Sequence, residues 1–89
     1  MTHTLDKITS AKLRKVLSEG EDEFDWSFDF ENFTMELEIP YGKPNTECDR
    51  VNIIIPTTGE IYQIVRRNNE TNDKLFARVA NCIKKYVNQ

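Results

Sequence analysis

Between Glu19 and Tyr41 the chain carries nine carboxylates, Glu19, Glu21, Asp22, Glu23, Asp25, Asp29, Glu31, Glu36 and Glu38, and neither a lysine nor an arginine. Carboxylates so crowded can work as an acid and base pair, hold a hard cation, or present a negative surface to a cationic partner. The second use needs ligands at fixed spacing. GEDEFD, residues 20–25, does not match the D-x-[DN]-x-[DN]-G order of a calcium loop. The first needs a cleft, and a short domain offers no evident place to hold a sugar between two carboxyls. His3 is the single histidine and lies near the start of the chain. No G-x-S-x-G, P-loop or H-E-x-x-H motif occurs. Cys48 and Cys82, 34 positions apart, form neither a disulfide framework nor a C-x-x-C zinc pair and read as free thiols. The sequence therefore carries no catalytic signature, metal site or cofactor motif. What stands out is how its charge is laid out.

The net charge of −3 conceals a segregation, because six bases lie from Arg66 onward (Arg66, Arg67, Lys74, Arg78, Lys84 and Lys85) against only Glu70 and Asp73. Such a two-faced field bears on partners and association rates rather than on the fold.

The elements that must position these charges follow from periodicity. A first helix runs to Gly20 as its C-cap, with Thr4 or Thr9 as N-cap and Leu5, Ile8, Leu13, Val16 and Leu17 along its apolar side. From Phe24 the period becomes two. Phe24, Trp26, Phe28 and Phe30 alternate with Asp25, Ser27 and Asp29, and the alternation then resumes on odd numbers at Phe33, Met35, Leu37 and Ile39. A one-residue phase slip at Glu31-Asn32 calls for either a tight hairpin turn or a bulge in one long strand, and about sixteen residues exceeds the usual strand length. The hairpin is preferred. A long loop, PYGKPNTECDR (residues 40–50), precedes a second hairpin of Val51 to Ile55 and Ile61 to Arg66 turned at Gly59. A final amphipathic helix capped by Thr71 or Asn72 turns Leu75, Phe76, Val79, Cys82, Ile83, Tyr86 and Val87 inward. The expected fold is α+β, one domain over residues 1–89, with three to four antiparallel strands between two helices (α-β-β-β-β-α).

With Glu31 and Asn32 in the turn, Phe28 opposes Met35 and Trp26 opposes Leu37 on the core face. On the other face Asp25 opposes Glu38, and Ser27 opposes Glu36. Like charges directly opposed weaken a strand pair, so a chain selected for stability alone would place lysines there. The bland reading is a solvated edge that resists aggregation. The functional reading is a carboxylate surface, Glu21, Glu23, Asp25, Asp29, Glu31, Glu36 and Glu38, offered to a basic cleft as nucleic acid offers its phosphates. The aromatic stripe Phe24, Trp26, Phe28 and Phe30 reads as core rather than as a platform for stacking bases. Lys74, Arg78, Asn81 and Lys85, joined by Arg66 and Arg67, form an outward polar stripe on the last helix that reads as solvated surface.

Eighty-nine residues with 38% hydrophobic and 30% charged composition suit a single soluble domain. The longest apolar run is Ile53 to Ile55, and MTHTLDKITS has no apolar signal region, so the expected location is cytoplasmic and no membrane partner is expected.

The stretch RVNIIIPTTGEIYQIVRRNNETNDKLFARVANCIKKYV (residues 50–87) resembles the hairpin and capped helix of some small phage-encoded anti-CRISPR proteins. That resemblance implies an αβββα domain whose acidic surface occupies the DNA-contacting site of an RNA-guided nuclease. Here the acids lie mostly in the first hairpin, and Arg66 and Arg67 end the second. The element order is also similar to the double-stranded RNA-binding domain, but the last helix opens on Glu70, Asn72 and Asp73 rather than on the basic run such a domain needs. Direct nucleic-acid binding is therefore not expected. The leading expectation is a non-enzymatic inhibitor or decoy that docks its acidic hairpin on a basic nucleic-acid-binding site of a larger defence protein. The alternative is an adaptor or structural domain that self-associates or recruits a partner through its sheet edge and two-faced charge, and the least favoured of the three is a nucleic-acid-binding module that uses the basic last helix.

Overall fold

Thr9 begins the first helix: its backbone is extended and its hydroxyl accepts from the Lys12 N–H, so α1 runs Ser10–Ser18 with Leu13, Val16 and Leu17 buried. The computed structural model describes residues 2–3, 8–19 and 22–87. Thr4, Leu5, Gly20 and Glu21 lie outside the described residues, as does the expected glycine cap. Within them, Glu19 closes α1 through its N–H to Lys15 O, 3.0 Å. Ile8 is buried just before the helix.

The four expected antiparallel strands are present as two hairpins, β2 (Ser27–Phe30) with β3 (Thr34–Glu38) and β4 (Arg50–Ile55) with β5 (Glu60–Val65). A two-residue strand β1 (Thr2–His3), which no periodicity announces at such a length, adds to β2 in parallel. The sheet order is β1-β2-β3-β4-β5. The register of the first hairpin is the one its phase slip requires: Ser27 faces Glu36, Phe28 faces Met35 and Asp29 faces Thr34. Phe30 N donates to Phe33 O at 2.8 Å across the two-residue turn. Neither Glu31 nor Asn32 has a positive φ, so the turn lacks the primed geometry hairpins favour. The Phe30 and Phe33 rings stack across its mouth, centroids 4.5 Å apart, and supply contact energy where the turn itself is not ideal. In the second hairpin Gly59, φ +75°, takes the left-handed position, and Ile55 O accepts from both Thr58 N and Gly59 N.

Both helices cover one face of this sheet. α2 (Asn72–Tyr86) is capped by Thr71 through Lys74 N, and it buries Leu75, Phe76, Val79, Ala80 and Ile83. Of the expected inward set, Cys82 and Val87 are half-buried, and Tyr86 is exposed with its ring stacked on Tyr62 at 4.2 Å. These side chains join Phe28, Phe30, Phe33, Met35, Leu37, Val51, Ile53 and Ile64 in one apolar core.

Two arginines of the expected outward stripe are instead structural. Arg66 donates to three carbonyls, Cys48 O (2.8 Å), Glu70 O (3.0 Å) and Thr46 O (3.1 Å), and so ties the long loop to the β5–α2 connection. Arg78 binds the Glu70 carboxylate through Nε at 2.8 Å and Nη2 at 2.7 Å and also reaches Val65 O at 2.6 Å. Only Lys74, Asn81 and Lys85 of that helix stripe remain exposed. A periodic stripe shows which way a helix face points but not what the neighbouring loop brings to it.

The Arg78 guanidinium holds the Glu70 carboxyl down at about 2, against 4.5 ordinarily. A depressed carboxyl stabilises the fold above its unfolded pKa, and that stabilisation disappears as pH falls from about 4.5 toward 2. Glu70→Gln should therefore cost about 1–3 kcal/mol at pH 7, because Arg78 loses its partner in a partly buried place. Urea unfolding should show the difference from wild type shrinking between pH 6 and pH 3.

Candidate functional site

The open side of the sheet is a lattice whose rows are fixed by register. One row reads Asp29, Thr34, Ile54, Ile61; the next reads Ser27, Glu36, Asn52, Gln63; a third reads Glu38, Arg50, Val65. Carboxylates thus occupy the β2–β3 half and apolar side chains the β5 half. Leu37 N donates to Trp26 O at 2.7 Å, which carries the pairing one position further and brings Asp25 toward the same end as Glu38.

Of the seven candidate carboxylates, Asp29, Glu36 and Glu38 share this face. Glu31 sits exposed in the hairpin turn, Glu23 and Asp25 lie in the segment entering β2, and Glu21 is outside the described residues. Their neutralisation is slight. Arg50 meets Glu38 at 3.3 Å in a pair exposed on both sides, which contributes at most about 1 kcal/mol. Thr34 Oγ1 donates to Asp29 at 3.1 Å and Asn52 Nδ2 to Glu38 at 3.3 Å. Glu23, Asp25, Asp29, Glu31 and Glu36 have no cationic partner among the described residues. Asn52 Oδ1, a buried atom of the middle row, also lacks a donor among the described residues.

The aromatic stripe departs from expectation at its first half. Phe28 and Phe30 are buried as read from the alternation, but Phe24 and Trp26 are 50% and 57% exposed. Alternation assigns a side of the ribbon. On that side Leu37 is 4% exposed whereas Trp26, joined to it through the Leu37 N–H, stands out in water. The far wall is the turn 40–43, in which Lys43 N bonds Pro40 O at 3.0 Å and Gly42, φ +79°, permits the reversal that leaves Tyr41 wholly exposed. Phe24, Trp26, Ile39, Tyr41 and Lys43 line a shallow cavity of about 370 Å³ there.

This surface is held rather than loose. Asn45, in the 3₁₀ turn Asn45–Glu47, is the buried polar residue that holds it: its backbone N–H donates to Glu23 O at 2.7 Å and its Nδ2 to Asp25 O at 3.2 Å. Asp22 Oδ1 accepts from Phe24 N at 2.8 Å. Sequence reading missed Asn45, since a buried asparagine in a polar loop has no periodic signature. The long loop, with its many turn residues, was the available hint.

A second cleft, about 440 Å³, lies between Pro40, Lys43, Glu47, Asp49, Arg66 and Glu70, but Arg66 and Glu70 are committed to the internal bonds described above. Among the described residues no three histidine, cysteine or acidic side chains gather to hold a metal ion, and no helix is long and apolar enough to cross a membrane. Cys48 is fully buried, and burial pushes its thiol up to about 11; burial also raises the half-buried Cys82. Neither suits nucleophilic work at neutral pH. Comparison with protein family models, curated proteins and solved structures found no significant match to this chain.

Trp26 is the sole tryptophan, so its surroundings can be followed directly. Asn45→Ala leaves Asp25 O without its side-chain donor and should cost about 1–2 kcal/mol. Acrylamide should quench Trp26 readily in the wild type and more steeply in the variant as the segment loosens.

Proposed function

We propose that this domain is a non-catalytic protein ligand that docks the acidic, aromatic-edged end of its first hairpin on a basic surface of a larger protein. The basic surface it suits is one that otherwise holds a nucleic-acid backbone. The observation that carries the reading is the set of five carboxylates with no cationic partner among the described residues, standing beside exposed aromatic side chains. Carboxylates along a strand face recur about every 6.8 Å and between neighbouring strands about every 4.8 Å, a density suited to arginine and lysine side chains arranged for phosphates. Trp26, Phe24 and Tyr41 add the rigid apolar anchors that interfaces favour, while charge steers the encounter. An inhibitor or decoy acting inside the cell on a nucleic-acid-binding defence protein, as the likeness to anti-CRISPR domains implies, uses a surface of this kind.

A triple variant tests the face. Asp25→Lys, Asp29→Lys and Glu36→Lys each add two units of charge and so move the net charge from −3 to +3. The control triple Glu19→Lys, Glu47→Lys and Glu60→Lys makes the same change elsewhere. A protein captured from bacterial lysate on the immobilised wild type should be released by duplex DNA at moderate salt. It should bind the face triple at least about tenfold more weakly and the control within a few-fold, with circular dichroism unchanged in both. Equal loss in both triples, or retention by the face triple, contradicts the reading.

A further inference from the structure

The free edge of β5 is built differently from the acidic end. Arg66 N bonds Asp49 O at 2.8 Å, and with the β4–β5 register this makes residues 60, 62, 64 and 66 the ones whose main chain faces β4. Ile61, Gln63 and Val65 therefore turn their N–H and C=O groups outward. Val65 O receives Arg78 at 2.6 Å. The remaining five groups have no partner among the described residues, where β5 is the last strand of the sheet. Edges are normally blunted by lysine, proline, a bulge or brevity. β5 is six residues long, EIYQIV, with one charge at its first position. Its open-face side chains Ile61 and Val65 are 57% and 51% exposed, a large apolar exposure for an edge.

Residues 60–66, EIYQIVR, complement their own reverse. An antiparallel pairing centred on Gln63 sets Ile61 against the second copy's residue 65 (valine) and Tyr62 against its residue 64 (isoleucine). It also sets Glu60 against the second copy's residue 66 (arginine). The two Gln63 main chains then exchange two hydrogen bonds, and each Ile61–Val65 pair offers one more, from Val65 N to Ile61 O, since Val65 O already accepts from Arg78. Shifting the register by two residues loses both the apolar and the charge match. In each copy the Arg66 guanidinium is held by the Cys48, Glu70 and Thr46 carbonyls and the Glu60 carboxylate accepts from the Tyr62 hydroxyl, so the register rests on the main-chain and Ile61–Val65 match, with the charges only placed to steer it. We propose that two copies of this chain pair through β5, antiparallel about a two-fold axis at Gln63, into one continuous ten-stranded sheet.

The pairing extends the open-face rows across the axis. Ile54 and Ile61 of one copy run into Val65 of the other, so the apolar half of each face becomes the centre of a shared one. The acidic hairpins lie at the two far ends, and the pairing does not depend on what they bind.

Sedimentation equilibrium at about 100 μM chain, above the micromolar range in which modest interfaces associate, should give twice the 10.4 kDa of one chain. Gln63→Pro removes an N–H that bonds nothing among the described residues, a place where an edge strand tolerates proline. It should return the mass to that of the monomer with unchanged circular dichroism. Gln63→Cys tests the register without disturbing the strand. Residues opposed in a hydrogen-bonded pair lie about 5.5 Å apart between Cα atoms, within disulfide reach, so mild oxidation should cross-link Gln63→Cys and leave Ile61→Cys uncross-linked. A monomer in the wild type overturns the proposal. So does a dimer in which Gln63→Cys fails to cross-link faster than Ile61→Cys, and so does a foreign strand that pairs with β5 while the chain alone stays monomeric.

Discussion

The two-residue turn at Glu31-Asn32 is the constraint on which the rest of the molecule depends. Strand side chains alternate faces, so a turn one residue longer or shorter would send Met35 and Leu37 to water and Glu36 into the core. The main-chain bond from Phe30 to Phe33 and the stacked rings beside it hold the turn closed. Once it is closed, Phe28, Phe30, Met35 and Leu37 are committed to the core and Asp29, Glu36 and Glu38 to the open face. The placing of Asp29, Glu36 and Glu38 on that face follows from a register chosen by apolar burial, which sets Asp29 against Thr34, Glu36 against Ser27 and Glu38 against Arg50.

What was legible in the sequence was whatever a period records. The slip from even to odd apolar positions located the first turn and its pairing to the residue. Gly59 located the second turn, while each helix start was narrowed only to two candidates, Thr4 or Thr9 and Thr71 or Asn72, of which Thr9 and Thr71 are the caps. The strand β1 escaped because two residues have no period. Phe24 and Trp26 were misjudged because alternation reports the side of a ribbon, whereas burial depends on what packs over each position on that side. The same limit applies to Arg66 and Arg78. Their helical or strand phase reads as outward, yet long side chains reach the carbonyls of Thr46, Cys48, Val65 and Glu70, and such tertiary bonds leave no mark on spacing.

The long loop does more than connect. Asn45 fastens the entry to β2, and Arg66 fastens the loop's own carbonyls, so one short stretch sets both walls of the aromatic cavity. In a domain of this size, polar groups buried for such a purpose occupy core that apolar residues would otherwise fill. Their cost is matched by what they hold in place: aromatic rings standing in water and carboxylates without counter-charges. The sheet thus has two chemically distinct ends, one acidic and aromatic at β2–β3 and one apolar and self-complementary at β5.

The most direct measurement of the central claim is a ¹⁵N chemical-shift titration of the domain with a nona-arginine peptide at low and at moderate salt. Shifts should concentrate at the amides of Ser27, Asp29, Thr34, Glu36 and Glu38 and at the Trp26 indole, and fade as salt rises. Shifts spread evenly over acids elsewhere, such as Glu19, Glu60 and Asp73, or centred on α2, would show that the first hairpin holds no privileged negative surface.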